Sequence, residues 1–373
     1  MLKKTISAII LATITSHSYA VELDAELSLG YDDNPFKLAE HFNPNGGWFV
    51  DSELKAKQQF GDFRLRGAVA NRSYEDTLDD ADFTKVRLDG KYKKRYTISG
   101  KKAYSHLIVK YANKNKTYVQ RSTGEVATFS GQNNENRYDY DSWGAEAKTA
   151  IYLSKQLKTG LEINVLSKDY NNSNIVGLSN LDYDQIELSN DWNYKYNDQG
   201  KIELVLSIAR RDFDDKRTKS LVGSDISGTD LEYDLYSASI AHKYKFSPQL
   251  SSELKASYKE RKDNGTGYYD TEDFKVSAEV DYLMKKGFKV VANISYQDLN
   301  YQNSVVSDED DDVHPSKDGY TIKLHLEKDL NAVKNLPMAF STGLRYDDYD
   351  SEDINYEFDR VQVFAGLELS FDS

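Results

Sequence analysis

Between Arg360 and Phe371 every second residue is apolar: Val361, Val363, Ala365, Leu367, Leu369 and Phe371. The residues between them are Gln362, Phe364, Gly366, Glu368 and Ser370, mostly polar or small. Only an extended strand throws successive side chains to opposite faces, so this segment has one greasy side and one wetter side. About eleven residues is also the strand length that crosses a tilted path through a bilayer. In hydrocarbon every backbone N–H and C=O must be paired inside the protein. Such a strand therefore needs neighbours on both edges, and the rest of the chain has to supply them.

It does so repeatedly. Val21 to Tyr31 places Val21, Leu23, Ala25, Leu27, Leu29 and Tyr31 on one face, with Glu22, Asp24, Glu26 and Ser28 on the other. Trp48–Phe60, Phe63–Ser73 and Thr84–Tyr92 follow the same rule. Further segments are marked by Leu107 to Tyr111, Trp143 to Leu153, Leu157 to Val165, Ile186 to Tyr194, Ile202 to Ile208 and Tyr236 to Tyr244. The series continues with Leu250 to Tyr258, Phe274 to Tyr282, Phe288 to Tyr296, Tyr320 to Leu326 and Met338 to Tyr346. With the last stretch this gives about sixteen strands, and a range of roughly 14–18 fits the spacing of a transmembrane barrel.

The connections alternate in length. Gly61-Asp62, Ser154 to Gln156, Asn197 to Gly200, Ser247 to Gln249 and Lys285 to Gly287 are short. Asp32 to Gly47, Lys114 to Asn136, Asp214 to Asp230 and Leu299 to Lys317 are long. Lys94 to Tyr104 reads as a connection longer than a tight turn. Aromatic residues gather at segment ends: Phe60, Phe63, Tyr194, Tyr244 and Phe288 beside short turns, Tyr31, Trp48, Trp143, Tyr258 and Tyr320 beside long loops. Two such girdles, with short turns on one side and long loops on the other, describe an all-β, antiparallel, up-and-down transmembrane β-barrel. An even strand number puts both termini on the periplasmic side.

Composition agrees. Tyr supplies 28 of 373 residues, Pro only 5, and mean hydropathy is −0.70. The first twenty residues form a separate object: Lys3-Lys4, a short apolar stretch from Thr5 to Thr15, and the small-x-small triplet Ser18-Tyr19-Ala20. That is the layout of a secretory signal peptide, giving residues 1–20 as a leader and 21–373 as the barrel domain. The chain has 48 basic and 61 acidic residues; without Lys3 and Lys4 the mature part has 46 basic residues and a net charge of −15. This balance excludes nucleic acid as a partner. Cysteine is absent, which excludes disulfide and thiolate chemistry.

The segment Phe364-Ala365-Gly366-Leu367-Glu368-Leu369-Ser370-Phe371 resembles the C-terminal signal of Gram-negative outer-membrane β-barrels. Phe364 stands where that signal commonly has a polar residue, and Asp372-Ser373 follow the aromatic that usually ends it. The resemblance implies localisation in the cell outer membrane. It also implies lipid and lipopolysaccharide as neighbours, and recognition by the barrel-assembly machinery through residues 360–371. The stretch Ser28-Leu29-Gly30-Tyr31-Asp32-Asp33-Asn34-Pro35-Phe36 is similar to the opening of outer-membrane porin-type barrels, some tied to exopolysaccharide or capsule export.

The inward faces carry the candidate functional residues. A basic wall is expected from Lys55, Lys57, Arg64, Arg66, Arg72, Lys85, Arg87 and Lys91, with Asp51 and Glu53 among them. Acids are expected elsewhere on the lining, including Glu187, Asp191, Glu279 and Asp281. Taken singly, such residues pair with cross-strand neighbours. As a set, they set up a field across an aqueous pore and tune its selectivity. Acidic runs at Asp76 to Asp82, Asp308 to Asp312 and Asp347 to Asp353 read as solvated loop tips, with lipopolysaccharide-bridging cations as the alternative. Asp308-x-Asp310-x-Asp312 continues with Val313 where an EF-hand needs Gly, so no metal site is expected. His106 and His325 point inward singly, and a lipid-facing His242 with Ser252 lacks an orienting carboxylate. No cofactor and no enzymatic activity are expected. The functional expectation is a porin-like channel for passive diffusion of small hydrophilic solutes, ions or oligosaccharides; the alternative is an outer-membrane component of polysaccharide or protein export.

Overall fold

The computed structural model describes residues 21–372, apart from 43, 121–124, 172–174, 176, 305–314 and 331–336. The expected leader (1–20) and the acidic run Asp308 to Asp312 lie outside the described residues. Sixteen long strands make the molecule. They are β1 (Val21–Asp32), β2 (Gly47–Phe60), β3 (Phe63–Tyr74), β4 (Phe83–Ile98), β5 (Lys101–Lys116), β6 (Tyr140–Tyr152), β7 (Leu157–Tyr170) and β8 (Tyr183–Lys195). The second half comprises β9 (Gly200–Phe213), β10 (Glu232–Lys245), β11 (Leu250–Asp263), β12 (Thr271–Leu283), β13 (Phe288–Tyr301), β14 (Ser316–Asp329), β15 (Met338–Ser351) and β16 (Phe358–Asp372).

Each strand pairs antiparallel with its sequence neighbours, and β1 closes the sheet on β16, Leu23 opposite Phe371 and Tyr31 opposite Val363. Closure satisfies the backbone without leaving an edge, as the alternating pattern demanded. The apolar positions point outward and stand bare: Leu27 is 59% exposed, Trp143 56% and Ile186 55%. A water-soluble protein does not present such a band, whereas lipid covers it. Among the described residues no helix is long and apolar enough to cross a membrane. The start of β1 and the end of β16 lie at the barrel end that carries the short turns, Glu22 opposite Asp372.

The strand layout departs from the sequence reading in two places. Lys94 to Tyr104 is not a long connection: β4 runs to Ile98, β5 starts at Lys101, and Ser99-Gly100 turns between them with φ of 48° and 76°. Positive φ at both positions is the tight hairpin geometry that matches strand twist. The strand was hidden because Lys93, Lys94 and Arg95 interrupt the apolar alternation where β4 outruns β3, whose pairing stops at Phe63 opposite Tyr92. Asp347 is not at an exposed loop tip either. It sits inside β15 with no accessible surface.

Phe364, the odd residue of the C-terminal pattern, faces inward. A row of register partners runs Phe49, Gly30, Phe364, Gly343 across β2, β1, β16 and β15. The ring of Phe49 lies over Gly30 and that of Phe364 over Gly343, where a Cβ would collide with each. Rings placed over glycines restore the packing that the glycines give up. Phe49 is 1% exposed and, with Tyr74, Leu78 and Ala81, forms a small apolar core inside the barrel near the long loops.

Candidate functional site

At the long-loop end the interior is divided into two sectors. In the first, the Asp-Asn-Pro turn after β1 folds the 33–46 loop against the wall. The Asn34 Nδ2 donates to the carbonyls of Leu38 (2.8 Å) and Asp359 (3.0 Å), and its Oδ1 accepts from Leu38 N–H at 2.8 Å. Beneath that turn lies Asp32, with no accessible surface. Its carboxylate accepts both Nε (2.8 Å) and Nη2 of Arg360, Tyr74 O–H at 2.8 Å and Gln362 Nε2 at 3.2 Å. Arg360 continues to Asp347, 4.0 Å away, which accepts two bonds from Arg345 (2.7 and 2.8 Å) and one from Thr321 (2.6 Å). Arg72 holds Asp51 through two bonds of 2.6 Å while its guanidinium stacks 4.1 Å above Phe49. Every buried charge in this sector has an opposite charge and further hydrogen bonds, which is what burial requires.

The expected basic wall faces inward along β2 to β4, but most of it is neutralised locally. Lys55 pairs with Glu53 (2.8 Å), Lys57 with Glu22 (2.6 Å), and Arg64 and Arg66 share Asp89 (3.2 and 2.6 Å). Among the described residues Lys85, Arg87 and Lys91 have no ion pair, and register sets Lys91 opposite Arg64. Of the acids, Asp191 pairs with Lys148 at 2.5 Å, Glu187 accepts Ser189 Oγ at 3.2 Å, and Glu279 accepts Asn293 Nδ2 at 3.2 Å. Asp281 lines a shallow cavity of about 310 Å³ with Lys243 and Glu253 near the short turns.

His106 and His242 are not isolated. His106 Nε2 bonds Glu146 at 2.9 Å, and Lys110 holds the other oxygen of that carboxylate. His106, Glu146 and Glu162 bring donor atoms within 4.8 Å of one another. Lys110 and Lys148 pair with those carboxylates, so the group is an ion-pair cluster of the wall. His242 is opposite Leu254, not Ser252, and bonds Tyr196 O–H at 2.8 Å while stacking on Tyr196 and Tyr244.

Apart from Lys85, the second sector was missed by the sequence reading. It is an arc of cations and rings on the inner wall from β4 to β13. Lys85 is opposite Lys114, and Lys114 opposite Tyr140. Lys168 lies 3.7 Å over Tyr140 and 4.6 Å over Tyr170. Arg211 is 4.2 Å over Tyr183, and Arg261 is 4.9 Å over Tyr233. From the loop after β9, Lys216 reaches over Phe213 (5.1 Å) and Tyr269 (4.5 Å). Burial and the neighbouring cations Arg261 and Lys219 push the Lys216 ammonium down to about 8. A signal for this arc exists in the sequence: Lys168-Asp169-Tyr170 and Arg211-Asp212-Phe213 end strands, and Tyr183-Asp184 and Tyr233-Asp234 begin them. Period two sends each Asp outward and each cation and ring inward.

Three stretches converge above these sectors. Phe36 and Lys37 of the first long loop, Tyr118 of the third and Asn355-Tyr356 surround a cavity of about 740 Å³ that Lys114 also lines. The 117–139 loop thus reaches, through Tyr118, the same space as the 33–46 loop.

No protein-family model matches the chain, and no curated protein matches it. Several solved structures do. One described as a bacterial polysaccharide outer membrane secretin is 13% identical, with 95% of this chain and 98% of that chain covered and a TM-score of 0.43. Pseudomonas aeruginosa OprD is 11% identical over 94% of this chain and 95% of that chain, TM-score 0.46. Acinetobacter baumannii OccAB3 is 9% identical over 96% and 100%, TM-score 0.47.

Proposed function

We propose that the protein is a porin-like channel of the bacterial outer membrane, through which small hydrophilic solutes diffuse passively. The observation that carries this reading is the segregation of the wall. Apolar side chains cover the outside of a closed sixteen-strand sheet, while charged ones line the inside. A barrel of about sixteen strands is too wide for side chains to fill, so its interior holds water. The short turns, with the start of β1 and the end of β16, then face the periplasm and the long loops face outward. In this reading the acidic loop after β3, with Asp79 and Asp80, lies at the level of lipopolysaccharide. The outward row of β16, Val361 to Phe371, is the segment offered to the assembly machinery.

Reconstitution of purified protein into a planar bilayer tests the reading. Discrete conductance steps, each persisting for many milliseconds, are the expected result. A folded, heat-modifiable barrel that inserts and passes no current overturns it.

A further inference from the structure

The two sectors at the long-loop end differ in one respect that matters to a solute. In the β14–β3 sector Asp32, Asp51 and Asp347 neutralise Arg360, Arg72 and Arg345. In the arc, none of Lys85, Lys114, Lys168, Arg211, Lys216 and Arg261 makes an ion pair among the described residues. The acids are close in sequence, but the pleat turns them away. Asp141, Asp169, Asp184, Asp212 and Asp234 all stand exposed on the outer face of the same strand ends. Arg210, which also faces outward, takes up Asp212 and Glu232. Asp263, the inward acid of β11, is engaged by the N–H groups of Gly265, Gly267 and Tyr269 at 2.8, 2.9 and 2.8 Å.

A row of like charges on one wall is destabilising unless something offsets it. The ring faces under Lys168, Arg211, Lys216 and Arg261 offset part of the repulsion and leave the charges in place. The inward cations of β5, β7, β9 and β11 recur on alternate strands. Strands lie about 4.8 Å apart, so these charges repeat at roughly 10 Å around the wall. A single small anion meets one or two of them. A flexible chain with acidic groups at intervals meets the whole arc.

We propose that this arc is a binding site for linear polyanionic solutes, hydrophilic chains bearing repeated carboxylate or phosphate groups. The proposal rests on the channel reading only for how such a solute arrives. Acidic oligosaccharides and linear polyphosphates share the recognised chemistry.

The test uses single channels of the full barrel and four probes: an oligouronide of four residues, its monomer, a neutral tetrasaccharide and linear tetraphosphate. The oligouronide is expected to interrupt the current in discrete events at concentrations at least tenfold below those needed with the monomer, and the neutral sugar to cause none. In the double variant Lys168→Gln/Arg211→Gln the dwell time of those events should fall at least tenfold. Lys255→Gln, on the inner face of β11 away from the arc, should leave it unchanged. Blocking by tetraphosphate alone assigns the site to phosphate chains, and blocking by the oligouronide alone assigns it to acidic sugars. Equal blocking by the neutral and acidic tetrasaccharides overturns the proposal, as does an unchanged dwell time in the double variant. Calorimetric titration of the detergent-solubilised barrel with the same probes keeps the site testable even where no current flows. Absence of current then counts against the channel. Heats that are equal for wild type and the double variant count against the arc.

Discussion

Asp32→Ala should cost the barrel about 3–5 kcal/mol, because it strands the Arg360 guanidinium in a place where water does not reach it. Arg360 is 7% exposed, and in the wild type Asp32 accepts its Nε and Nη2 together with Tyr74 O–H. The remaining acid within reach, Asp347, is 4.0 Å away and already engaged by Arg345 and Thr321. The measurement is guanidinium unfolding in lipid vesicles, followed by the shift between folded and unfolded mobility on gels without boiling. Arg360→Met should be similarly damaging, since it leaves Asp32 charged and buried. Asp32→Leu/Arg360→Met together should regain much of the loss, because two apolar groups need no partner. A double variant as unstable as either single one would show that the hydrogen bonds to Tyr74 and Gln362, rather than the charge pair, hold this corner.

Ile163→Arg tests which side of the wall meets lipid. Ile163 is at the middle of β7 and 48% exposed on the outer face. An arginine at the bilayer midplane of a barrel costs about 2–4 kcal/mol. Asn164, the next residue, points into the interior, so Asn164→Arg should change stability by less than about 1 kcal/mol, in line with polar lining positions. The same unfolding measurement in lipid reads both. Equal and small effects at the two positions would mean that the outer face is not embedded in hydrocarbon.

Much of the fold was legible because its main constraint is repeated at every second residue. Leu27, Ile186 and Leu254 are apolar for the same reason, and the register follows from which face must be greasy. What escaped was decided by contacts between distant strands. The β4–β5 hairpin was obscured because a strand that outruns its neighbour loses the apolar alternation, leaving Lys93, Lys94 and Arg95 as its only mark. Asp347 read as one of a run of loop acids, because nothing local shows that Arg345 and Arg360 enclose it. Of the lining, the inward placement of Arg64 or Lys85 follows from parity alone. Which cations stay unneutralised depends on partners such as Asp89, shared by Arg64 and Arg66 across β3 and β4. The cation–ring arc had a written trace in Lys168-Asp169-Tyr170 and Arg211-Asp212-Phe213, but its meaning appears only when neighbouring strands set those residues side by side.

The Asp32–Arg360 bond joins residues separated by 328 positions across the seam where the first and last strands meet. A misaligned closure, displaced by two residues, would keep every greasy side chain facing lipid and most ladder amides occupied, so hydrophobicity would not detect it and backbone bonding would detect it only weakly. It would, however, leave an unmatched carboxylate and an unmatched guanidinium sealed from water. This corner therefore works as a proofreading device for the final stitching of the cylinder, admitting one alignment and penalising its near-misses.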